Sequence, residues 1–191
     1  MTNADKGPIL LQIARAAISS ALGIPQTAEE NALWLKEAGA CFVTLTQNDE
    51  LRGCIGSLSA HRSLLNDVKS NAVTAALHDR RFAPLTAEEL DHTCIEISLL
   101  TPAQPIKFND ENDALSQLHP GVDGVIFEFG HYRSTFLPQV WEQLPHPREF
   151  MAHLKRKAGL PDTFWNDEVK LSRYSVSKFS ESKESKDTTG V

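Results

Sequence analysis

Apolar and polar positions alternate along this chain in two distinct periods, and the switches between them mark its elements. Ile9, Ile13, Ala17 and Ala21 recur at fourfold spacing with Leu10, Ala14 and Ile18 beside them, so a helix is predicted over Pro8–Leu22. Pro8 suits its first position, and Gly23 with Pro25 closes it. Thr27 and Glu30 have capping-box spacing and predict a second short helix through Ala32–Leu35, ended by Gly39. The period then drops to two. Phe42, Thr44 and Thr46 share one face of a strand over Ala40–Thr46, and Cys41, Val43 and Leu45 share the other. Polar Gln47–Glu50 turns the chain back into a paired strand over Leu51–Leu58, with Arg52, Cys54, Gly56 and Leu58 on one side.

Helical spacing returns over His61–His78, with Leu64, Leu65, Val68, Ala72, Ala75 and Ala76 as the stripe. A loop, Asp79–Pro84, and a capping box at Thr86 and Glu89 follow. Cys94–Leu100 alternates strictly: Ile95, Ile97 and Leu99 on one side, Glu96 and Ser98 on the other. Further along, the pattern predicts a short helix over Glu111–Leu118 and a hairpin of Gly124–Phe129 with Arg133–Leu137 around Gly130. A helix over Pro147–Ala158 capped by Gly159 and one last strand over Val169–Ser177 complete it. Residues 180–191, rich in Ser, Lys, Glu and Thr, predict a disordered tail. Hairpins mean antiparallel pairing, so the fold class is α+β, antiparallel sheets flanked by helices, rather than a doubly wound parallel sheet.

Composition narrows the function classes. A chain of 191 residues with 41% apolar and 23% charged residues is an ordinary globular protein. No apolar run has the length of a membrane span, and Met1–Lys6 lacks the pattern of a secretory signal, so no membrane association is expected. Three isolated cysteines, Cys41, Cys54 and Cys94, fit a reducing cytoplasm and neither a disulfide scaffold nor a zinc site. The net charge of −6 argues against nucleic acid as partner. Lys155-Arg156-Lys157 reads as a solvated helix C-terminus, where cations are favoured. No Gly-rich phosphate loop is present, and no cofactor or metal is expected.

The chemistry concentrates in Leu51-Arg52-Gly53-Cys54-Ile55-Gly56. Cys54 is the candidate nucleophile: Arg52 lies two residues away on the same face, and a nearby cation lowers a thiol pKa. The glycines Gly53 and Gly56 leave room for a ligand or another backbone. The same cysteine also reads as a small core residue. None of the seven histidines is tied to it by a motif, so no activating base is assigned. Asp79 and Arg81 beside Phe82 read as an ion pair or ligand clamp, or else as a helix-capping loop. Glu96 and Ser98 read as a cleft wall or as the solvent face of an antiparallel strand.

Taken together, several blocks resemble the AMMECR1 domain family. They are the hexapeptide, Phe42-Val43-Thr44-Leu45 before it, and Asp79-Arg80-Arg81-Phe82-Ala83-Pro84 after it. Glu96–Pro102, Gly121-Val122-Asp123-Gly124, Leu137-Pro138-Gln139-Val140 and Lys157-Ala158-Gly159-Leu160 follow in order. The resemblance implies a family-type domain over 8–179 made of two antiparallel-sheet subdomains, the larger holding both termini. It implies a cleft between them faced by Arg52, Gly53, Cys54, Ile55, Gly56, Asp79, Arg81, Phe82, Glu96 and Ser98. It also implies a small partner, similar to protein A of a three-part system with a Memo-like protein and a radical S-adenosylmethionine protein. The expected ligand is then a peptide or protein segment, with a thiol-dependent enzyme using Cys54 as the alternative.

Overall fold

The computed structural model describes residues 3–181. The fold is α+β and divides into two compact units. The first takes the chain up to Leu99 and again from Ser177, and the second is Leu100–Val176. No helix of the described residues is long and apolar enough to cross a membrane.

In the first unit, helix α1 spans Asn3–Ala21, so Pro8 lies inside it rather than at its start. The expected helix after Thr27 is absent. Only a single 3-10 turn forms, at Leu33–Lys36, with no side-chain cap. Glu30 is instead 2.8 Å from Lys69 on a later helix, a long-range contact that competes with the local box. A short strand β1 (Ala38–Gly39) precedes β2 (Cys41–Gln47) and β3 (Glu50–Gly56). Asn48 and Asp49, at φ 50° and 65°, make the two-residue turn between β2 and β3, the conformation their side chains tolerate best. Strand β4 (Arg62–Ser63) pairs with β1 and leads into α2 (Leu64–Leu77), whose N-cap is Ser63. The capping box at Thr86 forms as expected, on α3 (Ala87–Leu90), and β5 is Cys94–Leu100.

The sheet order is β10-β5-β2-β3, where β10 is Val176–Ser180. Cys41, Val43, Leu45, Ile95 and Ile97 face a core shared with Leu10, Ile13 and Ile18 of α1 and Val68 and Ala72 of α2. Each large apolar side chain buried there contributes about 1.5–3 kcal/mol. Asp67 and Asn71 sit one turn apart on the core side of α2 and are also buried. The Asp67 carboxylate accepts from Cys41 N (2.9 Å), Ser57 Oγ (2.6 Å), Arg62 Nε (2.7 Å) and Asn71 Nδ2 (3.0 Å). This network ties the start of β2 and the end of β3 to the helix.

In the second unit, β6 (Gln104–Pro105), β7 (Gly124–Phe129), β8 (Tyr132–Phe136) and β9 (Lys170–Tyr174) form a sheet of order β6-β9-β7-β8. Helix α4 (Glu111–Ser116) and helix α5 (Pro147–Ala158) share its core through Ala114, Leu115, Phe150 and Leu154. Gly159 caps α5 at φ 91°. Lys155 is not solvated as its place near the helix end suggests. Its side chain is 2% exposed. Its ammonium donates to Glu111 Oε1 (2.6 Å) and Asp162 O (3.1 Å) and lies 5.5 Å from the Trp165 ring. The segment after α5 folds back over it, which charge spacing along a helix does not reveal.

The expected final strand, Val169–Ser177, is two strands. β9 belongs to the second sheet, β10 to the first, and Ser175 separates them. Order also continues past the expected start of the tail. Ser180 ends β10, and Glu181 holds Arg15 through Nε (2.6 Å) and accepts from Ile95 N (3.0 Å). The rest of the expected tail, 182–191, lies outside the described residues.

Candidate functional site

The hexapeptide is strand β3, at the edge of the first sheet. Its register explains each member. Leu45 pairs with Gly53 and Thr46 with Leu51, so Arg52 is an extra residue with no counterpart on β2. Such a bulge re-aims a side chain. The Arg52 side chain is 14% exposed; its guanidinium grips the Glu89 carboxylate at 3.1 Å and donates to Ala83 O at 2.8 Å. It fastens the 83–89 segment to the sheet. Backbone N–H from Thr86, and then Arg52, hold the Glu89 carboxyl below its usual value.

Both glycines are required by their neighbours. A Cβ at Gly53 would strike the main-chain carbonyl of Ala75, where α2 lies against the strand. A Cβ at Gly56 would enter the ring of Phe42, its cross-strand partner. The room these glycines leave is therefore filled by a helix backbone and by an aromatic ring. Ile55 packs against the core of the first unit.

Cys54 lies on the opposite face. It pairs with Thr44, which pairs in turn with Glu96, making a row across three strands. Phe42 links Gly56 to Ser98 in the next row. All six residues of these two rows are half-exposed. Thr44 Oγ1 donates to Cys54 Sγ at 3.3 Å, and Glu96 accepts from Ser180 at 3.0 Å.

Asp79 and Arg81 close around the main chain of Cys54. Asp79 Oδ2 accepts from Cys54 N at 3.0 Å, and Arg81 Nη2 donates to Cys54 O at 3.1 Å. The two side chains hold each other through Arg81 Nε (3.0 Å) and Nη2 (2.7 Å). At Cys54 this ion pair occupies the place that another strand would take, a device that blunts that part of the edge. Hydrogen bonds from Arg81, and then those from the Cys54 and Arg81 amides, hold the Asp79 carboxyl well below the usual carboxylate range against the opposing effect of burial. Asp79 is 5% exposed and Arg81 56%, with its guanidinium 5.4 Å from the Phe82 ring.

The expected residues thus separate into groups. Cys54, Asp79, Arg81 and Phe82 come together at the strand edge, and Glu96 and Ser98 share the Cys54 face. Arg52, Gly53 and Ile55 are engaged in packing and tethering. Sequence reasoning did not name Thr44, Phe42 and Glu89 as site residues, although they complete these contacts. It also missed Asp67 and Asn71, although a polar pair four residues apart within an apolar helical stripe was a readable signal. Among the described residues, no group of three or more His, Cys, Asp or Glu is placed to hold a metal ion.

Known proteins are similar to this chain along most of its length. A protein of Methanocaldococcus jannaschii is 39% identical over 186 residues, 93% of this chain and 90% of its own. One from Methanothermobacter thermautotrophicus is 35% identical over 189 residues, covering 93% and 95%. The crystal structure of an uncharacterized protein from Pyrococcus horikoshii superposes with a TM-score of 0.76 at 32% identity, over 93% of this chain and 92% of that one. The AMMECR1 family model matches residues 11–179, and the chain belongs to that family.

Proposed function

We propose that the protein is a binding module that takes a peptide or protein segment at the β3 edge beside Cys54 and serves an enzyme partner. The observation that supports this is the Arg81 guanidinium. The Arg81 side chain is 56% exposed, yet its guanidinium is fixed, because Asp79 and the Cys54 carbonyl hold one side of it. A pre-oriented planar donor loses little freedom when it meets a ligand acceptor. The partners to test are a Memo-like protein and a radical S-adenosylmethionine protein, by analogy with the three-part system. No disulfide joins Cys41, Cys54 or Cys94, all among the described residues, which fits work in a reducing cytoplasm.

The test is a titration of each purified partner candidate against the immobilised protein. Binding by at least one, weakened about tenfold by Arg81→Gln and unchanged by Cys54→Ser, is expected; a tenfold loss corresponds to about 1.4 kcal/mol. Failure of both candidates to bind, or indifference to Arg81→Gln, overturns the reading. A thiol-dependent enzyme is the second reading, favoured by the half-exposed Cys54, whose Sγ accepts from the Thr44 hydroxyl. It requires any activity found to vanish in Cys54→Ser.

A further inference from the structure

The ladder of the first sheet fixes which way each main-chain group of β3 points. Narrow and wide pairs alternate in an antiparallel ladder, and at wide pairs N–H and C=O turn away from the partner strand. Ser57 N donates to Cys41 O at 3.0 Å, so that pair is narrow. Gly56 opposite Phe42 is then wide, and so is Cys54 opposite Thr44. The phase is corroborated at Cys54, whose outward N–H and C=O are the groups that Asp79 and Arg81 take. The next outward pair belongs to Gly56. Among the described residues, its N–H and C=O have no corresponding partner, and the residue is half-exposed.

Arg81 adds a third group to this edge. Its Nε and Nη2 are engaged, whereas Nη1 makes no hydrogen bond among the described residues. Asp79 neutralises the guanidinium, so the site offers a directed donor without net charge. That favours a carbonyl oxygen over a phosphate or carboxylate. A helical ligand does not answer such an edge, because its main-chain groups are satisfied internally. An extended chain does, since it presents N–H and C=O outward at alternate residues. Leu58, 39% exposed just beyond the strand, offers apolar contact to a side chain of such a ligand.

We propose that the ligand of this site is an extended peptide main chain, paired with Gly56 at the β3 edge and met by Arg81 Nη1. The inference rests on the binding reading above and specifies its ligand. The probe is a phage-displayed library of random nine-residue peptides, panned against the full-length protein. Enriched peptides are synthesised with each main-chain nitrogen methylated in turn and titrated against isotope-labelled protein. Methylation at one nitrogen is expected to weaken binding about tenfold, the loss of one hydrogen bond. Peptide addition is expected to shift the Gly56 amide resonance, and Arg81→Gln to weaken the same peptides. The proposal is overturned if no peptide is enriched, if every methylated version binds equally, or if the Gly56 amide does not move. Partner binding that depends on Arg81 while the Gly56 amide stays still sinks this inference and leaves the binding reading standing. Absence of both partner and peptide binding overturns the two together.

Discussion

Replacing Asp79 by Ala removes the acceptor of four hydrogen bonds: Arg81 Nε at 3.0 Å, Arg81 Nη2 at 2.7 Å, Arg81 N at 3.2 Å and Cys54 N at 3.0 Å. Their values differ with exposure. Arg81 is 56% exposed, so its ion pair counts as a surface pair, about 0.5–1 kcal/mol. The Cys54 N–H loses a charged acceptor at a half-exposed strand edge, about 1.5 kcal/mol. The Arg81 N–H finds water instead. The sum is about 2–2.5 kcal/mol, which for a chain of this length lowers Tm by about 4–10 °C. Asp79→Asn keeps an oxygen for Cys54 N and is expected to cost about half as much. Thermal unfolding followed by circular dichroism measures both variants, and hydrogen exchange reports faster opening at the Cys54 amide. A Tm for Asp79→Ala within about 1 °C of wild type refutes the idea that this ion pair secures the strand edge. So does an absence of coupling between Asp79→Ala and Arg81→Ala in a double-mutant cycle.

Three other outcomes follow from the same contacts. The folded pKa of Asp79 is depressed below its unfolded value of about 4, so its stabilisation is present above that value and lost as pH falls through the folded one. The Tm gap between wild type and Asp79→Asn is therefore flat from about pH 5 to 8 and narrows only below about pH 4; a gap that changes near neutrality contradicts this. Gly53→Ala is expected to cost about 2–3 kcal/mol in chemical denaturation, because the new Cβ meets the Ala75 carbonyl, which is backbone and cannot turn aside. Gly56→Ala should cost less, since Phe42 is a side chain, and adding Phe42→Leu should recover part of the loss; equal costs at both glycines refute the distinction. Burial, and then the Asp67 carboxylate, push the Cys41 thiol above its ordinary value. Iodoacetamide at pH 8 should accordingly spare Cys41 while modifying Cys54, as read by mass spectrometry, and equal rates refute it.

Elements governed by local chemistry were legible in the sequence. Pro147 and Gly159 bracket α5 because a helix start tolerates Pro and its end favours the left-handed conformation Gly adopts. The strict alternation of Cys94–Leu100 matches β5. Two capping boxes had the same spacing, yet only Thr86 with Glu89 formed, since Lys69 drew Glu30 away. The last strand read as one because its backbone stays extended through most of the stretch; the change of sheet at Ser175 depends on partners remote in sequence. At the site, Asp79 with Arg81 was read as an ion pair or ligand clamp, or else as a helix-capping loop, and of these the ion pair forms. The roles of the glycines were not legible, because Phe42 and Ala75 reach them only through pairing and packing.

The path of the chain between the sheets bears on the order in which the protein can be made. The first sheet needs β10, which follows the whole second unit in sequence. During synthesis, Leu100–Val176 leaves the ribosome while β5 still lacks its outer neighbour and Arg15 still lacks Glu181. The second unit has all of its own strands by then and can complete its core first. The first unit keeps an unfinished edge until its last strand arrives, so a nascent chain stalled before Ser177 exposes β5 to whatever strand is nearest.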